Sequence, residues 1–258
     1  FGRLPARGFR SEKSASVSDS NIRASAEIPD SDRLIFALDV PDTDAARKLV
    51  GELGDAVTFY KLGLELCMSG GYFELLDWMV QQDKRIFVDL KFFDVPATVA
   101  SAVRNLRDRG VTYATIHGNQ SIMEAAGEAK GDVKILAVTA LTSLDRGDLD
   151  DLGFQCDVGE LVLSRARRSL EAGCDGVIAS GLELDAMRAA VDDRLLVITP
   201  GIRPVENRPD DDQKRVVTVE EAFRKGADHI VVGRPIRNAE DPRAAALAIQ
   251  DTINTVFG

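Results

Sequence analysis

Short apolar segments alternate with segments of helical periodicity from Arg33 to the C-terminus, and this repetition restricts the fold more than any other feature. Each apolar segment is rich in β-branched residues and ends in a polar or glycine-containing turn, as the strands of a buried parallel sheet do. The segments between them carry apolar residues at i, i+3 and i+4, which predicts amphipathic helices. Eight strands are predicted at residues 34–38, 57–60, 86–88, 113–116, 135–138, 176–179, 195–198 and 229–232, with helices that include 43–53, 71–81, 97–109, 158–172, 183–190 and 219–225.

Eight strand–helix units within residues 31–258 match a single-domain α/β fold, the (β/α)8 or TIM barrel, which typically needs ~250 residues. The main alternative is an open doubly wound sheet, which would carry a Gly-x-Gly-x-x-Gly turn after its first strand. Residues 39–43 read Asp-Val-Pro-Asp-Thr and contain no glycine. The sequence therefore favours the closed barrel.

Residues 1–30 differ from the rest of the chain. Serine is frequent there, basic residues outnumber acidic ones, and the apolar residues show no regular period. Because such a segment has little apolar surface to bury, we expect a leader that is disordered or not native to the protein, outside the folded domain. A targeting peptide that is later removed is the alternative.

Composition excludes several classes of function. The net charge of −10 argues against a nucleic-acid partner, which requires a basic surface, and no apolar run approaches the ~20 residues that span a membrane. Cys67, Cys156 and Cys174 form no Cys-x-x-Cys pair, which predicts free thiols in a reducing compartment such as the cytoplasm. The two histidines, His117 and His229, rule out a His-rich metal site, and we expect both to be packed, hydrogen-bonded residues.

Charges directly follow the third predicted strand. Residues 86–96 read Ile-Phe-Val-Asp-Leu-Lys-Phe-Phe-Asp-Val-Pro, so that Asp89, Lys91 and Asp94 succeed a buried segment. On an extended backbone, Asp89 and Lys91 point to the same side. The stretch alone is compatible with a surface salt bridge worth ~0–1 kcal/mol, or with charges fixed at the mouth of a site.

The neighbouring strand ends favour the second interpretation. In a TIM barrel the site forms at the carboxyl ends of the strands, and the first three predicted strands are followed by charges of alternating sign at Asp39, Lys61, Asp89 and Lys91. Opposite charges keep one another ionised when water is excluded. Taken singly, Asp39 could cap the next helix, although Asp42 is better placed for that, and Lys61 could be an exposed lysine.

The last two predicted strands point to a phosphate. Residues 200–204 read Pro-Gly-Ile-Arg-Pro and precede a long polar loop that contains Gln213, and Gly233 and Arg234 follow the eighth strand. Loops seven and eight often bind phosphate in barrels of this kind. A glycine lets its backbone N–H approach an oxyanion, and an arginine offers two parallel donors.

These motifs together resemble the orotidine 5′-monophosphate decarboxylase family, in its bacterial-type branch. The resemblance extends from about Arg33 to the C-terminus, and its most specific part is Asp-x-Lys-x-x-Asp-Val-Pro-x-Thr at residues 89–98. Supporting pieces are Leu-Asp at 38–39, Tyr-Lys at 60–61, Leu-Thr-Ser at 141–143, Pro-Gly-Ile-Arg-Pro at 200–204, Gln213 and Gly-Arg-Pro at 233–235.

The resemblance implies a cofactor-free, metal-free enzyme of pyrimidine biosynthesis that converts orotidine 5′-monophosphate to uridine 5′-monophosphate. It implies that Lys91 donates a proton to C6 of the pyrimidine and that Asp89 lies beside the departing carboxylate. It implies that Lys61 and Asp94 are catalytic members of the same charge array. It also implies a homodimer, in which Asp94 and Thr98 reach into the neighbouring subunit's site. For the remaining residues it implies ribose contacts by Lys61, Asp39 and Thr98, a pyrimidine contact by Thr142, and phosphate contacts by Arg203, Gln213, Gly233 and Arg234.

Two alternatives stay open. Hexulose-phosphate synthases and keto-gulonate-phosphate decarboxylases are similar in their Asp-x-Lys-x-x-Asp core, but that resemblance implies Mg²⁺ and open-chain sugar phosphates. The Phe92-Phe93 pair, the Val-Pro-x-Thr at residues 95–98 and Gln213 favour the nucleotide enzyme. The other alternative is a nucleotide-binding protein that has lost catalysis.

Overall fold

The computed structural model describes residues 28–203 and 216–258. Gln213, and nearly all of the predicted leader, lie outside the described residues. Eight parallel strands pair in sequence order, and β1 pairs with β8, so the sheet closes into the predicted TIM barrel. The strands are β1 (Leu34–Ala37), β2 (Phe59–Leu62), β3 (Arg85–Phe92), β4 (Val111–His117), β5 (Lys134–Val138), β6 (Gly176–Ile178), β7 (Leu196–Thr199) and β8 (His229–Val232).

The strands are buried on both faces, which explains why they are apolar almost throughout. In β1, all four residues are buried, and Leu34 and Phe36 pack outward against the helices while Ile35 and Ala37 point into the barrel. This alternation divides the core into a large layer between strands and helices and a smaller cluster inside the barrel. The inner cluster contains Ile35, Ala37, Phe59, Phe87, Tyr113, Leu136, Val138, Ile178, Ile198 and Val231.

Helices cover the outside of the barrel at the predicted positions. The predicted helix 97–109 ends early, at Arg104. The chain continues in turns whose hydrogen bonds span three residues, such as that from Leu106 N–H to the carbonyl oxygen of Val103, and Asp108 and Gly110 then adopt left-handed backbone angles. Asp42 caps the first helix by accepting the N–H of Ala45, so Asp39 is not the cap. The helices are α1 (Thr43–Leu53), α2 (Leu64–Met68), α3 (Tyr72–Gln81), α4 (Pro96–Arg104), α5 (Gln120–Ala129), α6 (Arg146–Asp151), α7 (Val158–Glu171), α8 (Leu184–Ala190), α9 (Val219–Arg224), α10 (Arg234–Arg237) and α11 (Pro242–Phe257).

His229 closes the amino-terminal end of the barrel interior. Its ring is fully buried and lies 2.9 Å from both the hydroxyl of Tyr113 and the carbonyl oxygen of Asp32. Burial disfavours the imidazolium and lowers the pKa of His229 to about 4. The prediction that His229 is a packed, hydrogen-bonded residue is therefore confirmed, and it lies at the end of the barrel away from the strand ends that carry the charges.

The three cysteines are free, as the sequence predicts: Cys67 and Cys156 are partly buried and Cys174 is buried. In residues 28–203 and 216–258, each helix is too short or too polar to cross a membrane.

Candidate active site

Four side chains of alternating charge form one connected row at the carboxyl ends of β1 to β3. The ammonium of Lys61 lies 3.0 Å from Oδ1 of Asp39 and 3.4 Å from Oδ2 of Asp89. The ammonium of Lys91 lies 2.9 Å from Oδ1 of Asp89. Because β1, β2 and β3 are neighbours in the barrel, residues far apart in sequence meet here. We call Asp39, Lys61, Asp89 and Lys91 the charged row.

The two central members of the row are buried and remain ionised. Burial alone would lower the pKa of Lys61, but the carboxylates of Asp89 and Asp39 outweigh burial, and the pKa of Lys61 is raised. Burial would likewise raise the pKa of Asp89, but the ammonium groups of Lys61 and Lys91 outweigh it, and the pKa of Asp89 is lowered. Lys61 and Asp89 therefore present fixed charges at neutral pH. The side chain of Lys91 is 32 % exposed, so its ammonium can reach a ligand.

The backbone at Lys91 is not extended, contrary to the expectation from sequence. Its φ is 48°, in the left-handed region that a non-glycine residue seldom occupies. The strand also continues to Phe92, beyond the predicted end at residue 88, with a register shift against β4 between Val88 and Phe92. Lys91 and Asp89 thus meet through a bulge. Bulges and left-handed residues of this kind recur at active sites, where surrounding contacts hold them in place.

Thr115 is a member of this site that the sequence analysis did not single out. Its hydroxyl donates a hydrogen bond to Oδ1 of Asp89 over 2.9 Å and accepts one from the backbone N–H of Lys91 over 3.0 Å. The residue is fully buried in β4. In the sequence, Thr115 could have been noticed as a threonine within the predicted buried strand at residues 113–116.

The charged row lines a cavity of about 480 Å³, within the range of small-molecule sites. Its floor is made by the uppermost apolar residues of the inner cluster, among them Phe87 and Val138. Of the residues predicted from sequence, the cavity brings together Asp39, Lys61, Asp89, Lys91, Thr142, Arg203, Gly233 and Arg234.

The backbones of Gly233 and Gly63 pass close to the side chain of Asp39. A Cβ at Gly233 would lie 3.3 Å from Cβ of Ala37 and 3.9 Å from Oδ2 of Asp39. A Cβ at Gly63 would lie 3.2 Å from both Oδ1 of Asp39 and Nζ of Lys61, tighter than ordinary contact. Gly63 was not singled out from sequence, although it follows β2 directly.

Arg237 is a further lining residue that the sequence analysis did not single out. It lies in α10, three residues after Arg234, and its guanidinium donates to the carbonyl oxygen of Asp39. Among residues 28–203 and 216–258, the side chains that line the cavity include five cations, from two lysines and three arginines, and two carboxylates. An excess of positive charge faces the cavity in a chain whose net charge is −10.

Two predicted site residues that the structure describes, Asp94 and Thr98, are not among those that line the cavity. Asp94 and Thr98 are exposed, and Oδ1 of Asp94 accepts the N–H of Val95 over 2.6 Å. Gln213 lies outside the described residues. His117 ends β4, and its ring centroid is 4.6 Å from that of Phe93. Burial, followed by the positive charges of Arg165 and Lys91, lowers the pKa of His117.

Within residues 28–203 and 216–258, His, Cys, Asp and Glu side chains do not gather in threes in any group that could hold a metal ion. The carboxylates of the charged row are instead occupied by lysine ammonium groups.

The fold and the cavity define a TIM-barrel enzyme whose charged site lies at the carboxyl ends of the strands. Residues 32–249 match the model of the orotidine 5′-phosphate decarboxylase / HUMPS family. The chain therefore belongs to this family, and the resemblance recognised in the sequence motifs is confirmed.

Individual relatives of the chain are named as members of the same family. The chain is 65 % identical over 237 residues to an orotidine 5′-phosphate decarboxylase of Methylococcus capsulatus, covering 92 % of this chain and 98 % of the relative. It is 52 % identical over 233 residues to one of Stenotrophomonas maltophilia, covering 90 % and 96 %. The crystal structure of an orotidine 5′-phosphate decarboxylase from Lactobacillus acidophilus superimposes with a TM-score of 0.78 at 34 % identity, over 86 % of this chain and 99 % of that one.

Proposed function

We propose that this protein decarboxylates orotidine 5′-monophosphate to uridine 5′-monophosphate, and that Lys91 stabilises and protonates the carbanion formed at C6. The main support for the proposal is the position of the Lys91 ammonium. It lies 2.9 Å from Oδ1 of Asp89, in a cavity that Arg203 and Arg234 also line. The names of its bacterial relatives support the reaction.

The charge of the cavity complements this substrate. Orotidine 5′-monophosphate carries a carboxylate on the pyrimidine and a phosphate monoester, which holds about −1.5 to −2 at pH 7. The described part of the chain lines the cavity with five cationic and two anionic side chains, and this excess of positive charge balances the ligand. An uncharged nucleoside would leave that excess uncompensated, in surroundings that screen charge less than water does.

Loss of the carboxyl group needs a fixed positive charge near C6. When the C6–carboxyl bond breaks, carbon dioxide leaves and the electron pair stays on C6, with no neighbouring carbonyl placed to accept it. An ammonium fixed beside C6 stabilises that pair without having to reorganise, and can then transfer its proton to C6. Lys91, left neutral, regains a proton from solvent. Because Asp89 orients the ammonium, it belongs to the catalytic arrangement.

Asp89 has a second role in the proposal, beside the departing carboxylate. Two like charges ~4 Å apart at an effective dielectric of ~20 repel by about 4 kcal/mol, and this repulsion is relieved as carbon dioxide leaves. We assign the larger effect to stabilisation by Lys91, because ground-state destabilisation is the more contested mechanism. Lys61 keeps Asp89 ionised through its 3.4 Å contact, and we propose that Lys61 and Asp39 also bind the ribose.

The phosphate is proposed to bind beside loops seven and eight. Arg203 follows β7 and Arg234 follows β8, next to β1 around the barrel, and both line the cavity with Gly233. We propose that Gln213 also contacts the phosphate, because the family resemblance implies this role. Thr142, which follows β5, lines the same cavity and is proposed to contact the pyrimidine. Phosphate contacts remote from C6 supply binding energy that positions the reacting carbon against Lys91.

We further propose a homodimer in which Asp94 and Thr98 complete the partner's site. In a single chain both residues are exposed and neither is among those that line the cavity. Two large apolar side chains beside Asp94 are also exposed, Phe93 by 65 % and Val95 by 62 %, as expected for a surface that another subunit covers. The free cysteines support the cytoplasmic location that belongs to this proposal.

The test is to add orotidine 5′-monophosphate to the purified protein and follow the ultraviolet absorbance of the pyrimidine, with the product identified by mass spectrometry. We expect conversion to uridine 5′-monophosphate at the same rate with and without EDTA. A protein that acts only on keto-gulonate phosphate, and only with Mg²⁺, would belong to the other branch of this family. Binding of the nucleotide without turnover would show a protein that has lost catalysis.

A further inference from the structure

The regular pairing of β3 with β4 is interrupted opposite Thr115. Val88 pairs with Ala114 and Phe92 pairs with Ile116, so three residues of β3, at 89–91, face the single residue Thr115. Regular ladder hydrogen bonds cannot form across this bulge, because the two strands are out of step there. Two of the three bulged residues, Asp89 and Lys91, belong to the charged row.

The side chain of Thr115 replaces the missing ladder contact. Its hydroxyl oxygen accepts the backbone N–H of Lys91 over 3.0 Å, and its hydrogen is donated to Oδ1 of Asp89 over 2.9 Å. The same Oδ1 lies 2.9 Å from the Lys91 ammonium. One hydroxyl thus holds the backbone of the lysine and the carboxylate that orients the lysine side chain.

Lys91 needs such a contact because its backbone is in the left-handed region, with φ of 48°. A non-glycine residue adopts this conformation only when its surroundings hold it there. Thr115 is fully buried, so water cannot readily take the place of its hydroxyl. Thr115 is not among the residues that line the cavity, so it would act through Asp89 and Lys91 and not on the substrate.

We propose that Thr115 is a positioning residue for this reaction, whose hydroxyl sets the distance and direction between Asp89 and Lys91. This inference rests on the proposed function for its catalytic consequence, but its structural consequence stands by itself. Without the hydroxyl, the bulge should relax and the Lys91 ammonium should leave its position. Substrate binding should change little, because the arginines proposed to hold the phosphate follow β7 and β8.

The experiment compares Thr115→Val, which keeps the shape and removes the hydroxyl, with Thr115→Ser, which keeps the hydroxyl. Thr139→Val is the matched control, since Thr139 is equally buried and its hydroxyl donates to the carbonyl oxygen of Ile178, away from the charged row. We expect Thr115→Val to lower kcat about tenfold to a hundredfold, with KM for orotidine 5′-monophosphate changed less than about threefold. Thr115→Ser should recover most of kcat, and Thr139→Val should match the wild type.

The inference is overturned if Thr115→Val keeps the wild-type kcat, or if Thr115→Ser loses as much activity as Thr115→Val. Should the valine variant fail to fold, Thr115→Ala read against Thr115→Ser isolates the same hydroxyl.

Crystal structures of the wild type and Thr115→Val give a second readout that does not depend on turnover. We expect the variant to lose the left-handed angle at Lys91 or the contact between Lys91 and Asp89, and an unchanged arrangement contradicts the inference. A wild-type protein that does not decarboxylate the nucleotide would refute the proposed function alone, and the crystal structures would then decide the role of Thr115.

Discussion

The ammonium of Lys91 lies 2.9 Å from Oδ1 of Asp89, although the backbone of Lys91 adopts a left-handed conformation within a β-strand. An ordinary surface salt bridge is worth ~0–1 kcal/mol, less than the ~1–3 kcal/mol that a strained residue of this kind typically costs. The contact therefore does not by itself explain the conformation. Burial of Asp89, its second contact with Lys61 and the hydroxyl of Thr115 together make the arrangement rigid.

Replacing Arg234 by alanine should weaken catalysis mainly through the phosphate. A charge-assisted hydrogen bond is worth ~1.5–3 kcal/mol, so we expect kcat/KM for orotidine 5′-monophosphate to fall roughly tenfold to a hundredfold or more. For orotidine, which lacks the phosphate, kcat/KM should change little. Steady-state kinetics with both substrates checks this, with Arg104→Ala on the exposed surface of α4 as the control. Equal losses on both substrates would refute the phosphate role of Arg234.

Mixing two inactive variants should restore activity if Asp94 serves the neighbouring subunit. In a mixed dimer of Lys91→Ala and Asp94→Asn, one site carries both defects and the other carries neither. Random exchange of subunits in equal amounts then gives about a quarter of the wild-type activity. The control pairs Lys91→Ala with Asp89→Asn; because Asp89 contacts Lys91 within one chain, no intact site can form. If Asp94 acted within its own chain, the first mixture would stay as inactive as the control.

His229 should make the protein less stable in acid. Its pKa is lowered from 6.5 to about 4 in the folded protein, so the unfolded chain binds the proton more tightly. The contribution of neutral His229 to the free energy of unfolding is therefore complete above pH 6.5. It is lost as the pH falls towards 4, a decrease of about 3 kcal/mol. Denaturant unfolding at pH 7 and at pH 4.5 measures how far the free energy of unfolding decreases between the two, and this decrease should be smaller for His229→Gln than for the wild type. His117→Gln, at a half-buried histidine, should alter this decrease less, and identical decreases in all three proteins would contradict the assignment.

Sequence alone predicts the barrel well because its strands are continuous apolar segments that only a sheet covered on both faces can bury. It also locates Asp39, Lys61 and Asp89, since charges that directly follow buried segments are conspicuous. Thr115 could not be found in this way: its role depends on a register shift between β3 and β4 that no local pattern encodes. Arg237 depends likewise on the closure of the barrel, which brings α10 next to the residue that follows β1.

The most direct test of the central claim is the rate at which Lys91→Ala decarboxylates orotidine 5′-monophosphate, measured by absorbance beside the wild type and Lys48→Ala. Lys48 is an exposed lysine of α1 and controls for the loss of one positive charge. Removing both the proton donor and the fixed charge should lower kcat/KM by at least ~10³-fold, with Lys48→Ala unchanged. A Lys91→Ala protein that stays within about tenfold of the wild-type rate would contradict the assignment of the chemistry to Lys91.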